Sequence, residues 1–209
     1  PEIPILQPAF SPDGRYLSYI RNLGEWDQLI LRDLEEGDSK VLVEGESLLK
    51  PAWIQGAVVQ AWLADSQKIV FLKTKAGITT LNQVDVDSGE VNQIDMSPYT
   101  VLSHPAVSSS GRLCMVAGAP SVSPRVISTK DGAVKIHQRS TSESVPLEDL
   151  PTPYEINWTS TDGETVYGIY SPPTSSRYEG DGLPPAIVYI HGGPTSAVSI
   201  GYNLEAAFF

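Results

Sequence analysis

The chain has 209 residues, enough for one large or two small domains, with 41% hydrophobic and 19% charged residues and a formal net charge of -11. So acidic a surface repels phosphate backbones and argues against nucleic acid as a partner, and no apolar run reaches the roughly 18 residues of a membrane span. The lone Cys114 forms no internal disulfide and points to no oxidising compartment, so a cytoplasmic setting is expected, with the thiol buried in a strand.

The acidity fits plain solubility, and it also fits an acidic lumen that draws in cationic peptides; composition does not choose between them. Seventeen Gly and seventeen Pro imply many turns and short helices, while four Trp and nine Tyr supply aromatic anchors for a mostly β fold. The chain begins at Pro1 rather than Met, so the natural N-terminus, with any signal peptide, is expected to lie upstream.

A degenerate repeat occupies residues 1–140. Pro8–Tyr19, Gln60–Phe71 and Pro105–Val116 align so that Phe10, Trp62 and Val107 coincide, as do Asp13, Asp65 and Ser110, then Gly14, Ser66 and Gly111. Each stretch reads as an apolar strand, a tight polar turn and a second apolar strand, because Asp-Gly and its relatives tolerate the positive φ that hairpins need. A second hairpin follows each: 28–34 with 40–43 around Glu36-Gly37, 81–86 with 91–94 around Ser88-Gly89, and 125–128 with 134–136 around Asp131-Gly132. Four strands recurring every 45 to 52 residues match a propeller blade of roughly 40–50 residues. About three blades are expected, fewer than the roughly four to eight that close a ring, so further blades are expected elsewhere.

Residues 141–153 are polar and Pro-rich and read as a linker. From 154 the pattern changes. Tyr154–Trp158 and Thr165–Tyr170 flank Thr161-Asp162-Gly163 as a hairpin, but Pro172-Pro173 ends it. Pro184–Ile190 is a continuous apolar run, as expected of a strand buried on both faces of a parallel sheet. His191-Gly192-Gly193-Pro194 follows at once, and Asn203 can cap a helix through 209. Paired glycines turn a backbone sharply and leave amides uncovered, which is what an oxyanion requires of its donors. Taken alone, the tetrapeptide also fits a glycine turn without chemistry.

The order of these motifs carries more than any one of them. Blades bearing Ser11-Pro12-Asp13-Gly14-Arg15, a Pro-rich linker, the hairpin ending Tyr170-Ser171-Pro172-Pro173 and then Val188-Tyr189-Ile190-His191-Gly192-Gly193-Pro194 together resemble the prolyl oligopeptidase family of serine peptidases, most closely its acylaminoacyl-peptidase branch. The resemblance spans nearly the whole chain and is sharp from about 154 to 194. It implies a partial β-propeller over 1–140 followed, from 154 to 209, by the N-terminal part of an α/β-hydrolase domain. Gly193 then stands where the family's oxyanion loop offers a backbone N–H, and Gly192 permits the turn. His191 stands where the dipeptidyl-peptidase branch has a tyrosine, either assisting there or merely holding the loop by hydrogen bonds; it is not the triad histidine.

No Gly-x-Ser-x-Gly elbow occurs, so the Ser, Asp and His of a triad lie outside these residues and the chain alone is expected to be inactive. The resemblance implies short peptides as substrate, a propeller that gates entry, no cofactor and no metal, and the rest of the catalytic domain, in cis or in trans, covering residues 183–209. A homo-oligomer stays open. Two other readings remain: a propeller-based protein-binding module without catalysis, and a small-molecule esterase or amidase on the same scaffold.

Other features have plainer readings. Glu35-Glu36 abuts Gly37 in a turn, and Asp85, Asp87 and Glu90 lack the spacing of a calcium loop. Trp26, Trp53, Trp62 and Trp158 are expected in the core or between blades, with Trp53 or Trp62 lining a peptide tunnel as the sharper alternative. His104 and His137 fall in propeller segments with no nucleophile in motif context.

Overall fold

In the computed structural model, residues 3–48, 54, 56–193 and 197–209 are described; Trp53 and Pro194 lie outside them. Three four-stranded antiparallel meanders follow one another. The first runs β1 (Ile5–Phe10), β2 (Tyr16–Asn22), β3 (Asp27–Asp33) and β4 (Ser39–Glu46), each strand beside its sequence neighbour. The second runs β5 (Gln60–Trp62), β6 (Lys68–Lys75), β7 (Ile78–Asp85) and β8 (Val91–Ile94). The third runs β9 (Val101–Val107), β10 (Leu113–Ala119), β11 (Val122–Lys130) and β12 (Ala133–Arg139). The first strands meet in succession, β1 against β5 and β5 against β9, as in propeller blades arranged around an axis.

The repeated turns are built as the sequence requires. Gly14, Ser66 and Gly111 each donate a backbone bond three residues back, to Ser11, Leu63 and Ser108 at 2.9, 3.1 and 2.9 Å. All three have positive φ, at 78°, 60° and 76°, so the glycines avoid a strain that Ser66 bears. The Asp13 and Asp65 carboxylates accept the amides of Arg15 and Gln67. In the second hairpins Asp33 and Asp85 do equivalent work, each accepting two following amides while Gly37 and Gly89 close the turn onto the aspartate carbonyl.

The core runs unbroken through all three sheets. Leu29, Phe71, Leu81, Leu102 and Ile127 are each 2% exposed or less, and burial of such a side chain contributes roughly 1.5–3 kcal/mol. Blade 1 locks to blade 2 through polar contacts. A bulge in β1 puts Gln7 at φ 51°, so its carbonyl accepts from Gln60 Nε2 at 2.7 Å and its Oε1 from the Val59 amide at 2.9 Å. Trp62 donates its indole N–H to Ala9 O at 3.1 Å and Ser18 Oγ at 2.9 Å, and its ring stacks on Tyr16. His104 occupies the matching bulge in β9, at φ 55°, so its place is a feature of the blade.

After β12 the chain passes through a 3-10 turn (Leu147–Asp149) to the hairpin β13 (Tyr154–Thr159) and β14 (Thr165–Tyr170), and ends in the short helix α1 (Leu204–Phe208). The β13–β14 turn repeats the blade chemistry, with Gly163 at φ 91° bonded to Ser160 O, yet it pairs with no further strand among the described residues. Residues 184–190, expected as a strand, form none. Their apolar side chains are 68–83% exposed at Ile187, Val188, Tyr189 and Ile190. A strand is defined by its partners, and no parallel neighbour is present among the described residues. The propeller part of the expectation thus stands, while the residues assigned to an α/β-hydrolase sheet build no such sheet here.

Three packing expectations also change. Trp26, in the β2–β3 turn, is half exposed, as is Trp158, whose ring lies over Gly168 across β13–β14, where an added Cβ would come within 3.3 Å of it. Cys114 on β10 is only partly buried.

Candidate functional site

His191, Gly192 and Gly193 are exposed at the end of the open 184–190 segment. Gly193 adopts φ 77°, a conformation glycine reaches without strain. Gly192 lies outside the left-handed region with open space around it, so the turn rests on Gly193 rather than on Gly192. Among the described residues neither glycine amide has a hydrogen-bond partner, and the His191 ring makes no hydrogen bond that would hold the loop. The segment therefore offers N–H donors to whatever enters, and no serine in a Gly-x-Ser-x-Gly elbow occurs in the sequence to serve them.

The following stretch docks on the propeller. Residues 197–199 are exposed, yet Ile200 is 7% exposed. Its amide donates to Gly77 O, in the β6–β7 turn, at 2.8 Å, and its carbonyl accepts from the Thr100 hydroxyl. Gly201 lies so close to blade 3 that an added Cβ would stand 3.0 Å from Val101 Cγ2. A cavity of about 180 Å³ opens beside this contact, between Val101, Val116 and Pro124 of blade 3 and Ser199 and Tyr202 of the tail. Helix α1 then starts on Asn203, whose Oδ1 accepts the amides of Glu205 and Ala206 at 3.0 and 3.1 Å.

A second tie secures the linker. Glu143 accepts the Ser123 amide at 2.8 Å and pairs with the buried Arg125 guanidinium, with Arg139 Nε at 3.4 Å. Burial pushes the Glu143 carboxyl up, but its bonds to Ser123 and the Arg125 charge outweigh this and hold it below the usual glutamate range. Further along, the Ser176 amide bonds Asp149 at 2.6 Å and holds that carboxyl low.

One pairing was not legible beforehand. His137 Nε2 lies 2.8 Å from Ser128 Oγ, because a bulge between Val126 and Ile127 swings His137 out of register. Ser128 is 2% exposed and, among the described residues, no carboxylate bonds the imidazole, so the serine lacks substrate access and His137 an orienting acid. The pair serves as a part-buried polar contact between β11 and β12. Glu35 and Glu36 stay in their exposed turn, and Asp85 is occupied by the amides of Asp87 and Ser88. Among the described residues no three side chains gather to bind a metal, and no helix is long and apolar enough to cross a membrane.

Known proteins agree with this architecture. The family profile of the lipoprotein LpqB β-propeller domain matches residues 2–187. Dipeptidyl-peptidase 5 of Porphyromonas gingivalis is 26% identical over 92% of this chain, which spans 28% of that protein's length. The crystal structure of a puromycin hydrolase superposes with a TM-score of 0.87 at 30% identity, over 100% of this chain and 32% of that one. A puromycin-hydrolyzing peptidase of Mycobacterium tuberculosis shares the fold, with a TM-score of 0.74 at 19% identity, over 98% of this chain and 40% of its own. The chain belongs to the LpqB β-propeller domain family, and the peptidases it resembles are those of the prolyl oligopeptidase family.

Proposed function

We propose that this chain forms the gate and the oxyanion loop of a longer serine peptidase that hydrolyses short peptides, releasing aminoacyl or N-acylaminoacyl ends. The observation that carries the proposal is Gly193 at φ 77°, with uncovered amides, in the segment that follows three propeller blades, a linker and a hairpin. The likeness to a puromycin hydrolase and to dipeptidyl-peptidase 5, of whose lengths the chain covers about a third, supports it.

In this reading the Gly193 N–H meets the carbonyl oxygen as it gains charge. A serine, histidine and aspartate from the remainder of the protein then carry the acyl transfer. The blades restrict entry by size. The acidic surface draws in cationic peptides. The apolar side chains of residues 187–190 are covered by the remainder of the catalytic domain, in cis or in trans.

The test is hydrolysis of aminoacyl and N-acylaminoacyl p-nitroanilides by the full-length protein. Gly193→Pro, which removes the N–H and cannot hold the φ of 77° on which the turn rests, should lower kcat by at least roughly a hundredfold to a thousandfold. Gly192→Ala should cost far less, since its surroundings are open. Turnover of acyl esters alone would favour an esterase, and no turnover with tight protein partners would favour a binding module.

A further inference from the structure

We propose that the propeller itself positions the candidate oxyanion loop, through a clasp in which the β6–β7 turn and Thr100 hold Ile200; this rests on the peptidase reading above. Ile200 stands seven residues after Gly193, and it is buried where residues 197–199 before it are exposed. Its backbone is gripped from both sides, by Gly77 O at its amide and by the Thr100 hydroxyl at its carbonyl.

The grip depends on two glycines. Gly77 adopts φ 75°, and a Cβ on it would come 2.7 Å from Ile169 Cδ1 and 3.2 Å from Ile200 Cγ1, so a side chain here would be strained and would crowd β14 and the tail where they meet. Gly201 allows a similarly close approach to Val101. Thr100 is itself fixed at the seam between blades, because its carbonyl accepts from Thr79 of blade 2 at 2.8 Å and its amide donates to Gly118 of blade 3 at 2.9 Å. Its hydroxyl is the group left to hold the tail.

Ile200 touches no reacting atom and acts as a positioning residue. A tether of seven residues spans at most about 25 Å, so anchoring Ile200 confines where Gly193 can reach. Displacements of about 1 Å remote from the reacting atoms can cost a hundredfold in rate. A shift of blade 2 against blade 3 would move Thr100, and the loop with it.

The test uses the full-length protein with Thr100→Val, Ile200→Ala and the conservative Ile200→Val. Hydrogen exchange is read on the peptide spanning 197–202 and on the core strands, alongside steady-state kinetics and fluorophosphonate labelling. The clasp predicts faster exchange at 197–202 in Thr100→Val and Ile200→Ala, with core strands unchanged. It also predicts a tenfold to hundredfold lower kcat, KM within about twofold, and most activity restored in Ile200→Val. Unchanged exchange in both variants overturns the clasp. Faster exchange with unaltered kcat overturns its positioning role. If the unsubstituted protein neither labels nor turns over substrate, the peptidase reading falls by itself, and the exchange measurement still decides whether the clasp exists.

Discussion

One indole bridges the first two blades beside the Gln7 contacts, and its removal can be worked through. Trp62 is 7% exposed, its ring centroid is 6.2 Å from that of Tyr16 with the planes 8° apart, and its N–H is shared between Ala9 O and Ser18 Oγ. In Trp62→Phe the stack survives and the donor is lost. Ser18 is fully buried but its hydroxyl still donates to Ala9 O at 3.2 Å, so neither oxygen is stranded. The loss is then about 1 kcal/mol for a neutral hydrogen bond, with about 1 kcal/mol more for the smaller ring in a packed site. Trp62→Ala removes the stack as well and should cost about 3–5 kcal/mol. For a chain of this size each kcal/mol moves Tm by about 2–4 °C, so the two variants should differ clearly in melting. Urea unfolding followed by circular dichroism measures both. Ser18→Ala combined with Trp62→Phe should show coupling, since the two side chains share one bond. If Trp62→Phe is unchanged within about 0.5 kcal/mol and uncoupled from Ser18→Ala, the inter-blade joint does not lie at this indole.

Other outcomes follow from the same contacts. Gly77→Ala places a Cβ at φ 75° and 2.7 Å from Ile169 Cδ1, so it should destabilise by at least about 1–3 kcal/mol and loosen both the β13–β14 hairpin and residues 197–202, read by hydrogen exchange. The Glu143 carboxyl is held below its unfolded value of about 4.3, so the stability it contributes is present above that pH and fades as pH falls through the lower folded value. Glu143→Gln should therefore flatten the acid limb of the stability-versus-pH curve, while a curve of the same shape in variant and parent would show that the Arg125 tie is not the source. Ser128→Ala should cost about 1 kcal/mol by urea unfolding and leave hydrolysis and fluorophosphonate labelling untouched; loss of labelling would make Ser128 a nucleophile.

The blades were legible because tight turns admit few residues. Asp13-Gly14 and Gly111 announced their hairpins, and the strands lie where the alternating apolar residues placed them, though β4, β7 and β11 run longer because ladder pairing continues past the apolar run. Asn203 announced helix α1 in the same way. Pro184–Ile190 was not legible as it stands, because an apolar run reports a preference for burial while only neighbouring strands supply it. Trp26 and Trp158 misled for a related reason: aromatic size suggests a core position, whereas one sits in a turn and the other covers a glycine. The Arg125–Glu143 tie, the Ser128–His137 contact and the docking of Ile200 on Gly77 and Thr100 join residues through bulges and chain reversals that leave no periodic trace.

The central claim is that these blades and this glycine loop serve an active serine peptidase. Its most direct test is labelling of the native full-length protein with a fluorophosphonate probe, followed by a denaturing gel and mass analysis. The account predicts a labelled species heavier than 22.6 kDa, with the probe on a serine outside these 209 residues. A full-length protein that takes up no probe, or takes it up within these residues, would contradict it.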